Sequence, residues 1–122
     1  MKTVLVVDDS RIMRNIVKNT FSELKIPCQF LEAANGMEAM RQLQSQRIDL
    51  ILLDWNMPAL SGIDFLKQVR EIPQHKDLPI IMVTSESARY NVIEALKAGA
   101  TDYIIKPVSE KIFIEKLSKI TF

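Results

Sequence analysis

Several things are scarce in these 122 residues, and each scarcity excludes something. One cysteine, Cys28, allows no internal disulfide, which suits a reducing compartment. Three glycines leave no room for a phosphate-cradling loop of the Walker type or for a dinucleotide fingerprint. One histidine beside that one cysteine cannot make a zinc centre, and no calcium-loop spacing occurs. Charge of one sign is missing too. Sixteen basic and fifteen acidic side chains give +1, so nothing draws the chain to nucleic acid or to an anionic membrane. No apolar run is long enough to span a bilayer. The first, starting at Val4, stops at Asp8-Asp9, well short of a signal-peptide core. A cytoplasmic protein is expected.

What is present is an alternation. Five short apolar runs, Val4–Val7, Cys28–Leu31, Leu50–Leu53, Ile80–Val83 and Tyr103–Ile105, are rich in large or β-branched residues and have the length of strands. Amphipathic stretches lie between them. In the first, Ile12, Ile16, Thr20 and Leu24 recur every four residues, Met13, Val17 and Phe21 widen the stripe, and Ser10 is placed to cap it. Further helices are expected over about 36–44, 61–70, 88–97 and 109–120, the last running out toward the terminus at Phe122. Strict alternation implies an α/β fold, a doubly wound parallel sheet with helices on both faces. The first, third and fourth runs are continuously apolar, as strands buried on both faces are. The second contains Gln29 and meets Glu32, and the fifth lies between Asp102 and Lys106, so these two read as edges. A five-stranded sheet in the flavodoxin-like order 2-1-3-4-5 satisfies this. The expectation is one domain over 1–122 with no output domain.

Such sheets bind ligands beyond the carboxyl ends of their strands. The first run ends in Asp8-Asp9, the third in Asp54, the fourth in Thr84-Ser85 and the fifth in Lys106-Pro107. An aspartate after a strand is, taken alone, as often a turn or cap residue as a ligand. Three carboxylates, a hydroxyl and an ammonium on one rim are a different matter. The carboxylates raise one another's pKa unless a cation relieves them, and a few hard oxygen donors suit Mg²⁺. Mg²⁺, a lysine and a hydroxyl together stabilise charge on phosphoryl oxygens, and a carboxylate can itself be the nucleophile. Asp54 stands on the middle strand. Met13, Met40 and Met82 read as core filler, His75 as a loop residue and Cys28 as inert.

The motifs Val-Val-Asp-Asp at 6–9, Asp-Trp-Asn-Met-Pro at 54–58, Thr84 and Lys-Pro at 106–107 fall in order at successive strand ends. In these the chain resembles the receiver domains of two-component response regulators, over nearly its whole length and with the chemotaxis regulators foremost. The resemblance implies that Asp54 accepts a phosphoryl group from a chemotaxis-type sensor histidine kinase. Asp9, Asp54 and the Asn56 carbonyl would bind Mg²⁺, with Asp8 helping through water. Lys106 would pair with a phosphoryl oxygen, Thr84 would move toward another, and Tyr103 would be the aromatic switch that turns inward with it. Asn56 and Glu86 would modulate the lifetime of the phosphorylated state, and the Lys106-Pro107 bond would be cis. Phosphorylation would act through the surface around 88–120 on a target such as a flagellar motor switch protein, with a phosphatase as a further partner. Ser10 and Val108, where many relatives have phenylalanine, depart from the pattern without touching the chemistry. The chain would catalyse its own phosphorylation and dephosphorylation without multiple turnover. Three other readings are open: a phosphorelay intermediate with the same site, a scaffold independent of phosphorylation, and an aspartyl-nucleophile phosphatase. The last usually has its two aspartates spaced two apart after the first strand, which this chain lacks.

Overall fold

A computed structural model describes residues 1–120. Five parallel strands, β1 (Lys2–Val7), β2 (Cys28–Ala33), β3 (Leu50–Leu53), β4 (Ile80–Thr84) and β5 (Asp102–Ile105), form one sheet in the order β2-β1-β3-β4-β5. The helices between them are α1 (Arg11–Ser22), α2 (Gly36–Ser45), α3 (Gly62–Arg70), α4 (Arg89–Ala98) and α5 (Glu110–Leu117). The expected fold class and strand order are the observed ones, with β2 and β5 at the edges. A short 3₁₀ turn at Pro73–His75, which periodicity over so few residues cannot reveal, joins α3 to β4. The last helix ends at Leu117 rather than near 120, and the expected run to Phe122 lies outside the described residues. No helix among those described is long and apolar enough to cross a membrane.

Strand side chains alternate between two cores. Leu5, Val7, Ile51, Leu53, Ile80 and Met82 face α2, α3 and α4, packing on Ala39, Phe65, Leu66 and Ala95. Val4, Val6, Leu50, Leu52, Ile81, Val83 and Ile104 face α1 and α5, where Phe21 meets Phe113 edge-on at 5.6 Å. Val108 packs on this second core.

The α1 stripe needs correction. Val17 and Phe21 are its buried residues, with Leu24 beside them, whereas Ile12 is 72% exposed and Ile16 42%. A spacing of strictly four residues drifts around a 3.6-residue helix, so the Ile12–Ile16 line lies beside the contact face rather than on it. On its other flank α1 turns Arg14 and Lys18 toward Glu32 of β2, at 2.9 and 2.8 Å.

Candidate functional site

The register brings the carboxyl ends of β1 and β3 side by side, Val7 opposite Leu53, so Asp8 and Asp54 leave the sheet as neighbours. The Asp54 amide donates to the Val7 carbonyl at 2.9 Å, and the Asp8 amide to the Ala33 carbonyl at 3.1 Å. Both residues are buried, Asp8 3% and Asp54 6% exposed, while Asp9 stands in solvent at the rim. One oxygen from each of Asp8, Asp9 and Asp54 lies within 4.8 Å of the others.

Each carboxylate is held differently. Asp8 accepts from the Ser10 amide through Oδ1 at 2.9 Å and from Lys106 Nζ through Oδ2 at 2.9 Å. Asp54 accepts from the Trp55 amide at 2.9 Å, and Lys106 Nζ stands 3.7 Å from the same oxygen. The Asp9 carboxylate receives no hydrogen bond among the described residues and lines an open pocket with Trp55, Asn56, Met57, Pro58 and Ser61. Burial pushes the Asp54 carboxyl above its ordinary range, and the Asp8 charge adds to this. The Lys106 ammonium, the Thr84 hydroxyl and the Trp55 amide oppose the rise.

A second network runs away from the carboxylates. Thr84 is fully buried at the end of β4, and its hydroxyl accepts from the Glu86 amide at 3.2 Å. The Glu86 carboxylate accepts from the Asn56 side chain at 3.0 Å, and its carbonyl accepts from the Tyr103 hydroxyl at 2.7 Å. The Tyr103 ring is buried on the α4 side of the sheet, 6% exposed. Its hydroxyl is pushed up to about 12, first by burial and then by Glu86 and Asp54. Lys106 continues β5 past its pairing with β4, its amide donating to the Thr84 carbonyl, and the Lys106-Pro107 peptide is cis.

A family model, the response regulator receiver domain, matches residues 4–118. The chain belongs to this family. It is 46% identical over 115 residues to chemotaxis protein CheY1 of Helicobacter pylori, covering 93% of this chain and 92% of that one. It is 41% identical over 117 residues to chemotaxis protein CheY of Pseudomonas aeruginosa, covering 96% and 94%. Among solved structures, Vibrio cholerae CheY4 superposes with a TM-score of 0.88 at 35% identity over 99% of both chains. The Mn(2+)-bound form of response regulator Rcp1 superposes with 0.81 at 26% identity over 98% of this chain and 91% of that one. The protein is thus a receiver domain of the CheY type, with an aspartate cluster that could hold a metal ion.

The receiver domain brings together every site residue expected from the sequence, in two connected groups. Asp8, Asp9, Asp54 and Lys106 form the acidic pocket. Thr84, Glu86, Asn56 and Tyr103 form the network beside it. Cys28 and His75 lie elsewhere, and burial raises the Cys28 thiol, as expected of an inert one. Three contributors escaped the sequence reading. Ser10 both caps α1, accepting from the Met13 amide, and donates its own amide to Asp8. Gly62 opens α3 against the Asp54 carbonyl oxygen, where a Cβ would stand at 2.0 Å. Arg14 donates to the Asp8 carbonyl at 2.7 Å. Periodicity shows Ser10 as a cap, but nothing in a linear spacing shows that its amide or the Arg14 guanidinium reaches back to Asp8.

Proposed function

We propose that this receiver domain is a phosphoacceptor switch of a two-component system, with Asp54 the acceptor and Mg²⁺ bound at the Asp8–Asp9–Asp54 cluster. The observation that carries this is a buried carboxylate flanked by two others and by one lysine. Three hard oxygen donors with an open side toward solvent fit Mg²⁺, which keeps several waters and tolerates few protein ligands. A solved receiver with the same fold, response regulator Rcp1, is a Mn(2+)-bound form, which supports binding of a divalent ion by this chain. Asp9 and Asp54 would be direct ligands and Asp8 a ligand through water. The Asn56 side chain donates through Nδ2 to Glu86, and the family resemblance assigns its backbone carbonyl as a further ligand. Bound there, Mg²⁺ would neutralise charge on the oxygens of the transferring group.

In the reaction, a carboxylate oxygen of Asp54 forms a bond to phosphorus as the bond from phosphorus to the donor's histidine nitrogen breaks. The electron pair leaves with the imidazole. Lys106, now shared between Asp8 and Asp54, would turn to a phosphoryl oxygen, and the Thr84 hydroxyl, which accepts from the Glu86 amide, would leave that contact to donate to another phosphoryl oxygen. That exchange is the switch. Thr84, Glu86 and Tyr103 are linked in sequence, so withdrawing Thr84 from the Glu86 amide bears on the loop that the Tyr103 hydroxyl holds. The ring already occupies its inward position, and phosphorylation would act by deepening the preference for it. Moving such an equilibrium from mostly off to mostly on takes roughly 5 kcal/mol, within reach of a few charge-assisted hydrogen bonds at about 1.5–3 kcal/mol each.

The similarity to chemotaxis proteins favours a chemotaxis-type histidine kinase in the cytoplasm as donor and a flagellar motor switch protein as target, over a phosphorelay role. The target would read α4, β5 and α5, where Tyr90, Ile93, Leu96, Ile105 and Ile114 are exposed apolar residues. Incubation with Mg²⁺ and acetyl phosphate should add one phosphoryl group, detected by intact mass. Undiminished labelling of Asp54→Asn would remove Asp54 as the acceptor, and equal capture of motor switch protein with and without phosphodonor would favour a scaffold.

A further inference from the structure

The three carboxylates are not equally anchored, and the difference singles out a residue outside the acidic pocket. Asp8 and Asp54 are each oriented by a backbone amide and share Lys106. The Asp9 carboxylate has no such partner among the described residues, so the region it can reach is set by where its backbone, and with it the Cα–Cβ bond, is held. The carbonyl of the preceding peptide belongs to Asp8, and it accepts from Arg14 Nη1 at 2.7 Å. The guanidinium is itself fixed from a second side, its Nε donating to Glu32 Oε1 at 2.9 Å. Glu32 is fixed in turn, Lys18 donating to its other carboxylate oxygen at 2.8 Å. Its carboxyl is held below the ordinary range by Lys18 and Arg14. The Arg14 side chain is only 14% exposed.

We propose that Arg14 is a positioning residue for the metal centre: it clamps the Asp8–Asp9 peptide to the edge strand β2 and so aims the Asp9 carboxylate at the cluster. This rests on the reading of that cluster as a Mg²⁺ site. Arginine suits the task because its planar fork offers separate donors to Glu32 and to the carbonyl at once. A lysine has its three donors on one nitrogen and lacks the planar fork that directs Nε and Nη1 to two acceptors in fixed geometry.

Charge alone predicts the opposite. A cation beside three carboxylates disfavours a second cation, so deleting Arg14 should tighten Mg²⁺ binding if its charge were what mattered. If positioning matters, deletion weakens binding, and lysine does not rescue it although it keeps the charge.

The test is a Mg²⁺ titration of the full chain at fixed ionic strength, followed by fluorescence of Trp55, the residue next to Asp54. It compares the parent with Arg14→Met and Arg14→Lys. Both variants should bind Mg²⁺ more weakly by roughly three- to tenfold, the equivalent of one hydrogen bond. In the metal-free chains, the Asp9 and Ser10 amide resonances should shift and exchange faster, while Arg14→Lys melts within a few degrees of the parent. Unchanged affinity in both variants, tighter binding by Arg14→Met or full rescue by Arg14→Lys overturns the inference. A parent chain that does not respond to Mg²⁺ overturns the metal reading beneath it instead, so the two failures are distinguishable.

Discussion

Replacing Asp54 with asparagine should make the metal-free protein more stable, and Mg²⁺ should remove most of that advantage. Lys106 lies 3.7 Å from the Asp54 carboxylate, and the Asp8 and Asp9 oxygens lie within 4.8 Å of it. At an effective dielectric of about 20, the attraction to Lys106 and the repulsion from one such neighbour are each worth roughly 4 kcal/mol, so they nearly cancel. What remains is the cost of burying the charge, partly offset by the Trp55 amide and the Thr84 hydroxyl, while the exposed Asp9 is shielded by solvent and adds little. The carboxyl is accordingly raised. Asparagine removes the charge and keeps an oxygen to accept from the Trp55 amide. A gain on the order of 1–2 kcal/mol is expected. For 122 residues the unfolding entropy is about 0.26 kcal/mol/K, so this is a rise of roughly 4–8 °C in melting temperature.

Mg²⁺ at about one hundred times its dissociation constant should stabilise the parent by about 2.7 kcal/mol, or ~10 °C. With one of three carboxylates lost and affinity down about tenfold, the variant should gain only about 1.4 kcal/mol, bringing the two chains close together. The pH dependence has a definite sign. A carboxyl raised in the folded state binds its proton more tightly there than in the unfolded chain. Stability from this group is therefore lost as pH rises from the unfolded value, 3.8, through the raised folded value. The advantage of Asp54→Asn is full above that window and shrinks as pH falls through it. Melting both chains by circular dichroism, with and without Mg²⁺ at neutral pH and then metal-free at falling pH, decides the matter. A metal-free variant no more stable than the parent, or an equal Mg²⁺ increment in both, refutes the electrostatic reasoning.

Two substitutions test the loop between β3 and α3. Gly62→Ala would put a Cβ 2.0 Å from the Asp54 carbonyl oxygen, a backbone atom that cannot step aside, and should cost about 3 kcal/mol, or ~12 °C, while weakening Mg²⁺ binding; an unchanged melting temperature would mean that the helix start moves freely. Ala59 sits at φ 68, in the left-handed region that costs an L-residue roughly 1–2 kcal/mol, and it is exposed. Ala59→Gly should recover about half of that after the added freedom of the unfolded chain, a gain of some ~2–4 °C by calorimetry; a loss would show that the alanine methyl is held by packing.

Strand order was legible because burial on two faces leaves a compositional mark. Leu50–Leu53 and Ile80–Thr84 are uninterrupted, and both lie inside the sheet. Gln29 and Glu32 mark β2 as an edge, and each finds a polar partner there, Thr3 and Arg14. The acidic residues were legible for the same reason, since each follows such a run. The facing of α1 was not legible. Ile12 and Val17 are equally apolar, and only the docked sheet distinguishes the buried one from the exposed one. Nor were the supports of the site: Gly62 matters through its distance to one carbonyl, and Arg14 through an arm crossing from α1 to the turn before it. Such contacts join residues by geometry, and no periodicity records them.

The same burial that made the fold readable also sets up the chemistry. β1 and β3 are apolar to their last residues, Val7 and Leu53, so the next residue of each emerges at the rim while still shielded from water. In bulk water, with its high dielectric, three aspartates at this spacing would repel one another only weakly. Here two of the three are buried, and among the described residues Lys106 is their single ammonium partner. A site with more negative charge than its own cation can neutralise has a standing preference for a second cation. In the proposed switch, that cation and Lys106 would share the charge of the incoming phosphoryl group. Replacing Asp54 by a neutral residue should stabilise the metal-free fold and weaken this preference together. The electrostatic strain of the metal-free rim and its readiness to bind are therefore one property, and a variant optimised for stability at Asp54 is expected to be a poor switch.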